Sequence, residues 1–271
     1  MQPSTLVPRF GLAALAIMAL TLAIRAGTLP ADALPLPNRL ATADTVIVGK
    51  VTAILDKTVK VNNAQYKIAE VSISNALMGA KGATTIRLGF VSIPMGVAIR
   101  PSPFQATVGM EGCFFLRKQG DIYVVPLLGF LNKKSPNFEK DIALLKRCVK
   151  IMETPDASLK AKDAEERFLA AAMLLAKYRT RKSVNDKSEP IDAGQSKLIL
   201  RALAAADWTP TTDFMKLSPR MVLYKLPLSK KDGWNPPAGN DAKAFAAYAR
   251  KWLNDHADTY RIQKFVAKKS E

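Results

Sequence analysis

Acid–base, nucleophilic and metal chemistry need imidazoles, thiolates or carboxylates at set spacings, and this chain has few of them. His256 is its one histidine, in the helix end Asn254-Asp255-His256. With one imidazole and two distant cysteines, Cys113 and Cys148, a tetrahedral zinc site would have to be built mostly from carboxylates. A histidine at a helix C-terminus also has a structural role beside the negative end of the dipole. A serine triad would need His256 as its base, and neither a Gly-x-Ser-x-Gly elbow nor a Ser-x-x-Lys pair is present. Gly79-Ala80-Lys81-Gly82 lacks the P-loop spacing and reads as a strand-to-strand turn. Lys231-Asp232-Gly233 lacks the spaced carboxylates of a calcium loop. Glu165 and Glu166 are the carboxylates with most claim to acid–base work on a glycan, but they fall in a helix first turn, where acidic residues are favoured anyway. No cofactor or metal is expected.

What remains is charge and aromatic surface. The chain has 40 Lys+Arg against 23 Asp+Glu, a formal net charge of +17. Such an excess attracts polyanions: nucleic acid, anionic lipid or acidic glycan. The densest basic run is Lys177, Arg179, Arg181 and Lys182, four cations within six residues. Its competing role is to complement a helix C-terminus. Trp252 falls on an apolar helical stripe and is expected in the core. Trp208 and Trp234 lie outside the stripes, free to stack on sugars or bases or to pack between domains.

The elements that position these residues begin after an export signal. Phe10–Ile24 is uninterrupted by charge and apolar, follows Arg9, and exits through small residues at Ala26 and Ala31-Asp32-Ala33. This is the secretory pattern over residues 1–33, too short to span a bilayer comfortably. Its removal takes Arg9, Arg25 and Asp32 and leaves +16. In an oxidising compartment Cys113 and Cys148 could bridge; two buried thiols acting as small apolar residues is the alternative.

The first half reads as strands: 46–55, 66–73, 84–91, 113–117 and 122–125, the last pair turned by Gln119-Gly120-Asp121. Gly49 sits on the apolar side of the first strand, where a missing side chain permits a bulge. The alternation of Tyr66 and Ile68 slips phase to Val71 and Ile73, as one inserted residue would produce. Five such strands favour a closed or partly closed barrel over a sheet with two bare edges. The second half reads as helices. Ser135-Pro136 opens one to about Met152, and Asp163 with Glu166 caps a second ending at Tyr178. Asp192 with Gln195 caps a third, Ser218-Pro219 opens a short fourth, and Asp241 opens the last. The second contains FLAAAMLLA, apolar nearly all round, which must be buried on most sides.

The strand half, residues 41–130, resembles the netrin-like domain shared with tissue inhibitors of metalloproteinases. The matching segments are VIVGKVTAI at 46–54, YKIAEVSISNALMGAKG at 66–82, VGMEGCFFL at 108–116 and DIYVV at 121–125. The resemblance implies a five-stranded oligonucleotide/oligosaccharide-binding (OB) type barrel. The family's inhibitory members chelate zinc through a cysteine at the mature N-terminus. Here the first cysteine is Cys113, and the family's disulfide pattern is absent, so the fold carries over and protease inhibition does not.

The expected fold class is α+β: a small five-stranded OB-like β-barrel over 41–130, then an α-helical domain of about five helices over 135–266. The expected function is an exported, non-enzymatic binding or structural protein. It would associate with an acidic glycan or anionic surface, through Lys177, Arg179, Arg181 and Lys182, rather than with nucleic acid, and keep no transmembrane anchor after cleavage. The alternatives are an envelope-polymer hydrolase using paired carboxylates and an inhibitor of secreted hydrolases. N-terminal sequencing of exported protein is expected to read from about Leu34; a start at Met1 would remove the export reading.

Overall fold

A computed structural model describes residues 35–61, 64–91, 103–211, 216–239 and 241–267. The export segment therefore lies outside the described residues. The chain is α+β. A six-stranded sheet is built from β1 (Thr45–Val61), β2 (Ala64–Met78), β3 (Thr85–Val91), β4 (Glu111–Gln119), β5 (Ile122–Val124) and β6 (Phe130–Asn132). Its order is β1-β2-β3-β5-β4-β6, and a further β1–β4 pairing closes five strands into a ring. All neighbours are antiparallel except β3 and β5.

Alternation along β4 explains why its residues are apolar on both sides. Phe114 and Leu116 point into the ring with Ile47, Val51, Val71 and Leu88. Cys113 and Phe115 point outward, with Val46, into the core shared with the helices. A strand covered on both faces has no polar face to keep.

Helix α1 (Leu36–Thr42) precedes the ring, an element the proline-rich sequence did not announce. After the ring come α2 (Phe138–Glu153), α3 (Pro155–Leu159), α4 (Ala164–Tyr178), α5 (Ala193–Ala204), α6 (Pro219–Leu223) and α7 (Ala242–Asp255). The five expected helices are present, with the short α3 added. Ser135-Pro136 does not cap α2, which starts after Asn137 without a side-chain cap. The other caps read correctly: Asp163 accepts from the N–H groups of Glu165 and Glu166, and Asp192 from that of Gln195. Leu169 to Ala176 of α4 are all buried. Two short strands, β7 (Lys187–Pro190) and β8 (Gln263–Val266), pair antiparallel and tie the chain's end to its middle. Among the described residues no helix is long and apolar enough to cross a membrane.

The phase slip in β2 has a different cause from the one its pattern suggests. β2 pairs with β3 in unbroken register from Tyr66 to Ser72. Ile68 and Tyr66 pack with Ile122 and Val124 in a small cluster of their own, whereas Ala69 and Val71 face the ring interior. The apolar residues change faces there because different neighbours cover the two faces. One register shift between β1 and β2 falls on Val51/Ala53, in the partner strand, and another on Val48/Gly49.

At Gly49 a Cβ would lie 2.5 Å from the Ser72 carbonyl oxygen and 2.9 Å from Val71 Cγ1. Gly49→Ala is therefore expected to destabilise the fold by about 1–3 kcal/mol. Exposed Lys57→Ala should change it by less than about 0.5 kcal/mol. Urea unfolding midpoints of the two variants make the comparison.

Candidate functional site

Beneath the C-terminal end of α7 lies a pocket of about 530 Å³, lined by Lys231, Asp232, Gly233, His256, Tyr260 and Arg261 among others. One wall is the segment that follows α7. The wholly buried hydroxyl of Ser196 on α5 donates to the Tyr260 carbonyl at 3.0 Å and accepts from Ile262 N–H at 3.1 Å. Asp258 is bound by Lys197 at 2.5 Å, with Arg201 at 3.7 Å. Arg261 lies on this wall with Nη1 donating to its own neighbours' carbonyls, Asp258 at 3.0 Å and Tyr260 at 3.2 Å. A guanidinium has five N–H donors in a fixed fork; both of these bonds use Nη1, and Arg261 lines the pocket.

The opposite wall is the loop from Ser229 to Asn235, and α7 holds it at several points. Trp252 Nε1 donates to the Asp232 carbonyl at 2.9 Å. The Tyr248 hydroxyl donates to the Gly233 carbonyl at 3.1 Å and accepts from Asn235 N–H at 2.6 Å. Within the loop, the Asp232 carboxylate accepts from both the hydroxyl and the N–H of Ser229, at 2.6 and 2.9 Å. Gly233 has φ +71°, and a Cβ there would approach His256 Nε2 to 3.1 Å, so glycine serves both the turn and the close approach.

His256 stacks on Trp252, centroids 4.6 Å apart and planes 13° from parallel. Its Nδ1 is 3.0 Å from the Trp252 carbonyl oxygen. That oxygen only accepts, so Nδ1 carries the proton and the ring is fixed in position. Burial holds the Tyr260 phenol up to about 12, the Asp232 carboxylate adding to the shift and Arg179 opposing it. The same desolvation lowers Arg179 from the ordinary arginine range.

The four cations of the basic run are divided by the fold. Arg179 does not line the pocket but donates to the carbonyls of Lys225 and of Gln263, a lining residue, each at 3.2 Å. The guanidinium carbons of Arg179 and Arg181 both lie 4.5 Å from the centroid of Phe265 on β8. Lys177 instead lines a separate groove with Lys81, Met78 and Glu153. Lys182 is bound to Asp44 at 2.6 Å. Arg179 and Arg181 are thus brought together, and Lys177 and Lys182 are not brought to them. Glu165 is exposed and pairs with Arg147 at 3.1 Å, and neither it nor Glu166 lines the pocket. Trp252 is in the core as expected; Trp208 is also buried, and Trp234 is half-buried.

Sequence reasoning gave no role to Tyr260 or Arg261, which carry no motif, and weighed Lys231 only within Lys231-Asp232-Gly233, which lacks the spaced carboxylates of a calcium loop. The legible signal was the glycine turn of that segment with Trp234 beside it, which forms a wall held by Tyr248 and Trp252. Among the described residues no cluster of metal-ligating side chains exists.

Cys113 and Cys148 are free and buried in the structure, both within the apolar core that joins strands to helices. They are not bridged there and act as small apolar groups, each pushed up to about 12 by desolvation, which Arg147 partly opposes at Cys148. With folded values raised, the thiols and Tyr260 contribute stability fully present below their unfolded ionisation range and lost as pH rises toward 12. Urea midpoints are expected to fall from about pH 9 upward, and Tyr260→Phe should flatten part of the fall. A disulfide-exchange reagent at pH 8 should label neither thiol until the protein unfolds; prompt labelling would contradict the burial. No protein-family model matches this chain, and a search of curated proteins finds no match.

Proposed function

We propose that this chain is an exported, non-enzymatic binding module that takes an acidic polymer at the pocket between Lys231 and Arg261. One observation carries the reading: Arg261 is oriented on the pocket wall by two backbone carbonyls, Lys231 lines the same pocket from the Ser229–Asn235 loop, and Arg179 binds the carbonyl of the lining residue Gln263. Guanidinium groups held in this way bind carboxylate or phosphate with little further loss of freedom. The Asp232 carboxylate is engaged by Ser229, which leaves cationic groups facing an incoming ligand and supports binding over acid–base work. The strand ring serves as the platform, and its order, closing β1-β2-β3-β5-β4 on β1 with β3 and β5 parallel, supports an OB-type, netrin-like barrel. Export makes an acidic glycan outside the cytoplasm the partner in preference to nucleic acid.

The test uses the mature chain and polygalacturonate. Lys231→Glu with Arg261→Gln is expected to weaken binding about tenfold or more, the scale of lost charge-assisted hydrogen bonds. Reversing two exposed lysines elsewhere, Lys57 and Lys140, should weaken it far less. Affinity should also fall steeply with salt. Lys231→Glu alone, at an exposed side chain, guards against loss of fold. Equal losses in the pocket and control variants would mean a diffuse basic surface.

A further inference from the structure

On the far side of Gly233 from the pocket the same loop carries Trp234, and Trp234 belongs to an aromatic surface. Its ring stands edge-on to Phe245, Tyr248 and Trp252, at 6.1, 5.3 and 5.6 Å. Phe245 in turn meets Tyr224 at 6.1 Å. Tyr224 follows α6 and is 63% exposed, yet it is not free to turn. Arg220 Nε donates to its hydroxyl at 3.0 Å. The Arg220 guanidinium lies 4.7 Å from the Phe245 centroid and 5.8 Å from that of Tyr224. An exposed aromatic already held by such contacts has less rotamer freedom left to lose when a ligand arrives, which favours binding. The surroundings are strongly basic: residues 216–251 contain eight Lys or Arg and two Asp.

We propose that Tyr224, Arg220 and Trp234 form a sugar-stacking subsite, and that the acidic polymer is a polysaccharide bearing carboxylated sugars. This rests on the reading of the Lys231–Arg261 pocket as an anion site. A pyranose ring presents apolar C–H groups on its face and hydroxyls around its edge. The face suits the exposed tyrosine ring, and Arg220 is a donor for ring substituents. A carboxylate on the same or a neighbouring sugar then suits the cations of the pocket. Both features sit on one loop that α7 holds rigid, Gly233 lining the pocket and Trp234 the aromatic surface. A polyanion without sugar rings would use the pocket alone.

Three probes at equal charge separate these cases with the mature full chain: oligogalacturonate, polyglutamate and vesicles of phosphatidylglycerol. Oligogalacturonate is expected to bind about tenfold more tightly than polyglutamate, the scale of one aromatic stacking contact. Tyr224→Ala should remove that difference and leave polyglutamate binding unchanged, and Tyr224→Trp should retain it. Tyr224 is exposed, so loss of fold is not the expected cause of a change, and polyglutamate binding reports retained fold directly. Equal affinity for the two polymers, or equal losses on Tyr224→Ala, would overturn the sugar subsite while the anion pocket stands. Tighter binding to vesicles than to oligogalacturonate would overturn the polysaccharide as partner. Failure of both polymers to bind would remove the pocket reading and the subsite with it.

Discussion

Helix α4 has no face to give to water, and the rest of the helical half is arranged to meet that constraint. Leu169 to Ala176 are buried without a break. A helix apolar all round must be covered on every side. α1, α2, α3, α5 and α6 supply the cover, and β8 reaches it as well. Alanines at 170, 171, 172 and 176 let these neighbours approach closely, while Met173, Leu174 and Leu175 fill the space between them. The strand ring joins the same apolar core through Val46, Cys113 and Phe115. The two cysteines belong to this cover, which is why their thiols behave as packing groups.

Where α4 ends, its polar residues emerge together, and this gives the basic run its form. A helix leaving a crowded core has a fixed direction, so successive residues of its exit face different neighbours. Arg179 caps the helix and meets Gln263 and Phe265, whereas Lys177 remains on the side of β2 and α2. Lys182 is beyond the helix and turns toward Asp44 at the start of the ring. Charge density along the sequence is therefore not charge density in space. The pocket has its cations because chain segments from different places meet there, each held by hydrogen bonds that precede any ligand.

This explains what the sequence made legible. The five long-period helices and most strands could be read because periodicity and caps are local properties: Asp163, Asp192 and Asp241 each bind the N–H groups two or three residues ahead. β6, β7 and β8 are three or four residues long and exist through their partners, so no local pattern marks them. α1 follows Pro35 and buries Asn38 and Arg39, polar residues in a proline-rich stretch where no helix was expected. The candidate site was least legible of all. His256 and Trp234 stood out as residue types, but Lys231 and Arg261 line one pocket because Tyr248 and Trp252 hold the loop that carries Lys231 against α7.

The β7–β8 pairing orders these events during synthesis. A chain made from its N-terminus can close the strand ring and gather most of the cover around α4 before residues 256–266 are made. The pocket wall formed by residues 256–263, and Phe265 against the two arginines, are made after every other element that covers α4 except β8 itself. Until they emerge, Lys187 to Pro190 have no strand partner and Arg179 has no Gln263 carbonyl to bind. A nascent chain lacking residues 256–266 would carry the strand ring and most of the cover of α4, while Arg179 and Arg181 would still lack Phe265 and the pocket one of its walls.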